Sequence, residues 1–155
     1  MVAPNLFGEL DKIIKSVVPA TIEYGERVAE LVRVRTRSGK NMRGGPFTPY
    51  SQRWADKKKG GARTPVTLTD TGSMLDGLVV VNKQATLDSS GRIAVEVTNN
   101  DKDDSWKMKS HQYGLRNPQR QFLGVTDEEQ KDLLRVFDDT MYKPVSTKDE
   151  IVYKL

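Results

Sequence analysis

Cysteine is missing from the 155 residues, and histidine occurs once, at His111. The first absence excludes disulfides, thiolate nucleophiles and thiolate zinc sites. A single histidine on a short helical stretch is more often packed or hydrogen-bonded than a base or a ligand. Long apolar runs are also lacking: none approaches the roughly 20 residues that span a bilayer. MVAPNLFGELDKIIKSVV has no basic region ahead of its apolar stretch and is broken by Glu9 and Asp11. Neither a signal peptide nor a membrane span is expected, and the protein should be soluble and stay where it is made.

The motifs of common chemistry are missing too. Gly39-Lys40 is followed by Asn41 rather than Ser or Thr, and Val34 stands where a P-loop has its first glycine, so no phosphate cradle forms there. Neither Gly-x-Ser-x-Gly nor Gly-x-Gly-x-x-Gly occurs. Asp101, Asp103 and Asp104 lack the loop glycine and distal glutamate of a calcium loop, and read as a solvated turn. No catalytic, cofactor-binding or metal-binding set emerges, so no enzymatic activity and no cofactor are expected.

What the chain does have is charge, unevenly placed. With 36% hydrophobic and 30% charged residues and a mean hydropathy of -0.61, it can build one modest core, so residues 1–155 read as one domain. Ten Lys and Arg lie between Arg33 and Arg63 against the single acid Asp56, although the net charge is only +4. The remainder is net negative, with acids at Asp101–Asp104 and Asp127–Glu129. Such a basic band suits head-to-tail contact between copies, contact with nucleic acid, or a solvated loop.

Apolar spacing predicts the elements. Leu6, Leu10, Ile13, Ile14, Val17 and Val18 recur at helical spacing. Pro19 either kinks that helix or opens a second, with Ile22, Val28, Leu31 and Val32 on its apolar side. Residues 36–65, with five glycines and three prolines, read as a long basic loop projecting from the body, anchored by Phe47, Tyr50 and Trp54. LTDTGSMLDGL groups Leu68, Met74, Leu75 and Leu78 around a short turn or helix. Two β-rich runs, near Leu78–Thr86 and Arg92–Thr98, flank the turn signal at Asp88–Gly91 and predict a hairpin.

Ser105 is a candidate cap for a short helix ending at Gly114. Thr126 and Glu129 form a capping box for a helix burying Leu133, Leu134, Phe137 and Met141. Beyond Pro144, residues 144–155 form an extended C-terminal arm. Its Ile151 and Tyr153 belong to a β-prone end that needs an edge to pair with, on its own sheet or a neighbour's. The expected fold is α+β: N-terminal helices and a C-terminal helix packed on a small, mostly antiparallel sheet.

In order, PFTPYSQRWADKKKGG, LTDTGSMLDGL, HQYG and PQRQFLGVTDEEQKDLL resemble the phage virion morphogenesis family, the tail-completion or neck proteins of Mu-like and other tailed phages. The likeness covers about residues 43–137. Tyr113 and Met74 replace the usual phenylalanine and leucine, keeping size and apolarity. Gln121 stands where a second proline is common and makes that segment less rigid. The resemblance implies a structural virion protein without catalysis, forming a homo-oligomeric ring at the head–tail junction, with a hexamer as the family's expectation. It implies head-closure, tail-terminator or tail-tube proteins as neighbours, transient contact with phage DNA in the lumen, and location in the virion after synthesis in the host cytoplasm.

The residues themselves leave roles open. Tyr50 and Trp54 beside Lys57, Lys58 and Lys59 suit either a protein interface or a nucleic-acid grip. Arg120 suits a salt bridge within the loop or to a neighbouring subunit. Phe122 and Leu123 are either an anchor on a partner or a plug in the chain's own core. A nucleic-acid-binding module using residues 33–63 is the alternative to the ring protein.

Overall fold

A computed structural model describes residues 6–57, 65–81 and 94–141, with side chains from residue 13 onward except those of Trp54 and Lys57. The elements are α1 (Leu6–Arg37), α2 (Gln52–Lys57), α3 (Ser73–Asp76), β1 (Leu78–Val81), β2 (Glu96–Asn99), α4 (Lys102–Tyr113) and α5 (Asp127–Met141). The fold is α+β, as expected. The Asp88–Gly91 turn, Lys58, Lys59, Arg63, and the arm with Ile151 and Tyr153 lie outside the described residues.

Helix α1 is one element of 32 residues that runs through Pro19. Of the two readings of Pro19, a kink or the start of a second helix, the second is therefore excluded. An interior proline removes one backbone hydrogen bond and costs about 3 kcal/mol, so packing along the rest of α1 offsets it. That packing begins at Ala20 and continues through Ala29 and Val32, all buried. Ile13 and Ile14, expected on the buried side, are 57% and 38% exposed; among the described side chains of α1, burial begins at Ala20, just beyond the proline.

β1 and β2 pair antiparallel, with Leu78 opposite Asn99 and Val81 opposite Glu96. Helix α1 packs against them, closely at Gly25, where an added Cβ would stand 2.9 Å from Val95 and 3.0 Å from Val80. Helix α5 packs chiefly along α1. There the Phe137 ring meets Tyr24 edge-on at 6.5 Å, and the Thr140 hydroxyl donates to Glu23 at 2.9 Å. Leu133 is buried, but Leu134, expected on the same face, is 46% exposed.

The core joins Ala29 and Val32 of α1 to Phe47, Val66, Leu68, Met74, Leu75, Leu78, Met108 and Phe122. Leu68, Met74, Leu75 and Leu78 are all buried, as their spacing predicts. The loop expected over residues 36–65 is corrected in its described part. Residues 36–37 are still helix, 52–57 are helical, and Lys40 bridges to Pro46. Phe47, 5% exposed, pulls this stretch onto the body instead of letting it project.

Helix α4 is capped by Asp101 rather than Ser105: its carboxylate accepts from the amides of Asp103 at 3.0 Å and Asp104 at 2.9 Å. Ser105 is already inside the first turn, its amide donating to the Asp101 carbonyl. The acidic turn is not wholly solvated either. Asp104 is buried and paired with Lys107 at 2.6 Å. That hydrogen bond comes first among the causes that hold the Asp104 carboxyl below its ordinary value.

Candidate functional site: the strap around Arg120

Residues 118–124 form a strap between α4 and α5, and polar side chains fix it from three sides. Gln112, one residue before the end of α4, holds it from below. Its Oε1 accepts from the amides of Phe122 and Leu123, both at 3.1 Å, and its Nε2 donates to the Leu123 carbonyl at 3.3 Å. Helix α4 can release the chain there because Gly114 is left-handed, with φ of 73°. A Cβ at this position would also press on the Gln119 side chain at 3.2 Å.

Arg120 is 3% exposed and reaches across to the segment after Phe47. Its Nε donates to the Thr48 carbonyl at 2.8 Å and one terminal nitrogen to the Pro49 carbonyl at 2.9 Å. The guanidinium lies 4.9 Å over the centre of the Tyr50 ring. Its partners within the chain are thus carbonyls and an aromatic face, in place of the salt bridge expected within the loop. Burial pushes its pKa down, and the Tyr50 hydroxyl pulls it back up. Phe122 is fully buried, so it plugs the chain's own core, with Leu123 packed against that core.

Arg35 holds the strap from the α1 side. It donates to the carbonyls of Phe122 at 2.7 Å and Gly124 at 2.8 Å, and to Glu129 at 2.6 Å. The same Glu129 carboxylate accepts from the Thr126 amide at 2.7 Å, while the Thr126 hydroxyl accepts from the Glu129 amide at 3.2 Å. The capping box expected at Thr126 is therefore present and tied to α1. Nearby, Arg33 donates to the carbonyls of Leu75 and Leu78, and Arg37 pairs with Asp76. Three cations of the basic band thus brace the fold.

Compared with protein-family models, curated proteins and solved structures, the chain finds no match. What the site can do follows from its own geometry. A cleft of about 480 Å³ opens beside the strap, lined among others by Tyr50, Ser73, Lys107, His111 and Arg120. The His111 ring is half-buried, and its Nδ1 has no hydrogen-bond partner. Burial, with Arg120 nearby, pushes its pKa down to about 4, so the ring is neutral at neutral pH. Leu68 and Arg116, which also line this cleft, both adopt positive φ, at 52° and 63°.

Of the residues singled out from sequence, the structure brings Tyr50, Arg120, Phe122 and Leu123 together. The Trp54 and Lys57 side chains and all of Lys58, Lys59, Ile151 and Tyr153 lie outside the described set. Gln112 carried no signal beyond its place in HQYG. The bracing role of Arg35 was hidden in a run of cations.

Proposed function

We propose that this chain is a structural virion protein of a tailed bacteriophage, forming an oligomeric ring at the head–tail junction that completes the tail and joins it to the head. One observation carries this reading. The four stretches that resemble the virion morphogenesis family meet around Arg120: the loop at Pro46–Tyr50, the turn at Leu68–Met74 across a shared cleft, the helix end at His111–Gly114, and the strap. Their polar groups serve one another: Gln112 meets the strap amides and Arg120 the loop carbonyls. This is what a scaffold needs, and it supports a role in assembly. Head-closure, tail-terminator or tail-tube proteins are the proposed neighbours, the virion the proposed location, and phage DNA a passing contact in the lumen.

The nucleic-acid alternative loses support from Arg33, Arg35 and Arg37, whose guanidinium groups are engaged inside the chain. It keeps the exposed Lys40, Arg43 and Arg53. Negative-stain imaging and mass photometry of the concentrated protein separate the two readings. Rings of constant copy number, six by the family's expectation, are the expected result. A monodisperse monomer that binds DNA with steep salt dependence would transfer the function to nucleic-acid binding.

A further inference from the structure

Helix α4 turns a mixed aromatic and basic stripe to solvent. Lys102, Trp106, Lys109 and Tyr113 are spaced four, three and four residues apart, so they share one helix face, and all four are exposed. Trp106 is 48% and Tyr113 68% exposed, and Leu115 just beyond the helix end is 49% exposed. The Arg116 guanidinium stands 5.8 Å from the Trp106 ring centre and adds a third cation. Single exposed apolar residues need no explanation, but two exposed aromatic rings on one helix face, with an exposed leucine just past its end, do. Trp, Tyr and Arg are also the side chains enriched at protein interfaces.

Helix α5 carries the complement. Asp127, Lys131, Leu134 and Asp138 repeat the spacing of four, three and four and are all exposed. Leu134 sits at the middle of this acidic surface, 46% exposed. Glu128 and Asp139 extend the acidic surface beside it; Asp132 and Arg135 pair with each other at 3.0 Å, and Lys131 is one cation against the four carboxylates that remain. Helix α5 packs on α1, whereas α4 packs on α3 and β2. Both stripes face solvent in the same copy, so they meet only between copies.

We infer that the α4 stripe docks on the α5 stripe of a second copy of this chain. Trp106 and Tyr113 cover Leu134, while Lys102, Lys109 and Arg116 face the α5 carboxylates. Charge alone would also admit a nucleic acid. The second copy is favoured because the matching surface, acidic around an exposed leucine, is present on the chain itself. Joining two different surfaces makes a heterologous contact, so every copy leaves one surface open for the next. Such a series closes into a ring if the rotation closes and otherwise runs on as a filament. The inference rests on the ring reading for closure alone.

Two full-length variants test it: Trp106→Ala with Lys109→Ala, and Leu134→Lys with Asp138→Lys. All four side chains are exposed, so both proteins should keep the wild-type circular dichroism and melting temperature. By sedimentation velocity the wild type should assemble and each variant alone should stay monomeric. An equal mixture should give a dimer of one of each and nothing larger, because one intact contact remains per pair. Lys109→Glu and Asp138→Lys combined in one chain should recover assembly, which keeps the test valid if another variant misfolds. Wild-type assembly by either variant alone, or no mixed dimer, would overturn the contact. DNA binding lost in the α4 variant with assembly unchanged would give the stripe to nucleic acid instead. Rings persisting in both variants would remove this interface and keep the ring reading. Open chains abolished by the variants would keep the interface and remove the ring. A wild type that stays monomeric at high concentration would overturn both.

Discussion

The guanidinium of Arg120 stands 4.9 Å over the centre of the Tyr50 ring and spans two successive carbonyls, Thr48 and Pro49, more than seventy residues earlier in the chain. Only a planar fork can do both at once. Replacing Arg120 by Met keeps the apolar stem but leaves these carbonyls without a donor, and should cost about 1–3 kcal/mol. Arg120→Lys should recover only part of that loss, since a lysine offers a point charge without the fork. Urea denaturation of the three proteins measures both effects. Equal midpoints for Lys and Arg at this position would show that charge alone suffices.

Gln112 makes a sharper case, because one side-chain oxygen accepts from two strap amides. Gln112→Ala removes the acceptor and should cost about 1–3 kcal/mol through the amides left unmet. Gln112→Glu keeps the acceptor but loses the donation to the Leu123 carbonyl. Hydrogen exchange at Phe122 and Leu123 should rise sharply in the alanine variant and only slightly in the glutamate one. Unchanged protection in both would mean that the strap is held by Phe122 packing alone.

These contacts mark the boundary of what was legible in the sequence. Thr126 with Glu129, and Leu68 with Met74, Leu75 and Leu78, were readable because their partners lie within a few residues and obey helical or turn spacing. Arg35 and Gln112 were not readable in the same way. The carbonyls and amides they serve lie 87 and 10 residues downstream, and no local pattern announces them. Pro19 left two readings open because a proline can end a helix or only interrupt its hydrogen bonds, and the packing of Ala20, Ala29 and Val32 beyond it is tertiary. Leu134 misled because an apolar residue beside Leu133 widens the apparent face beyond what α1 covers, which is why the docking stripe on α5 emerged only from exposure.

Thr126 tests the junction of α1 and α5. Loss of an N-cap hydroxyl costs about 1 kcal/mol, so Thr126→Ala should lower stability by that amount. Its amide still reaches Glu129 in the variant, and Arg35 still holds the same carboxylate. Glu129→Ala should therefore be the more damaging change, since it strips both the amide and the buried Arg35 of their partner. Thermal unfolding of the two variants ranks them. The opposite order would show that Arg35 is held well enough by the Phe122 and Gly124 carbonyls.

His111 supplies the pH dependence. Its folded pKa, about 4, is depressed below the ordinary 6.5 by burial first and by Arg120 second. The unfolded chain therefore binds more protons between those values, and stability must fall as the pH is lowered through that window. The contribution is complete above about pH 6.5 and lost on approach to pH 4. At about 1.4 kcal/mol per pH unit, a fully buried ring would lose roughly 3 kcal/mol. The ring is partly open to solvent, and screening reduces the expected loss to about 1–2 kcal/mol. Asp104 adds a loss at still lower pH, because Lys107 holds its carboxylate ionised until the pH falls below the ordinary aspartate range. Denaturation at pH 7 and pH 4.5 should show the drop in the wild type, and a shallower one in His111→Gln, which cannot gain the proton. The same slope in both proteins would place the acid sensitivity elsewhere.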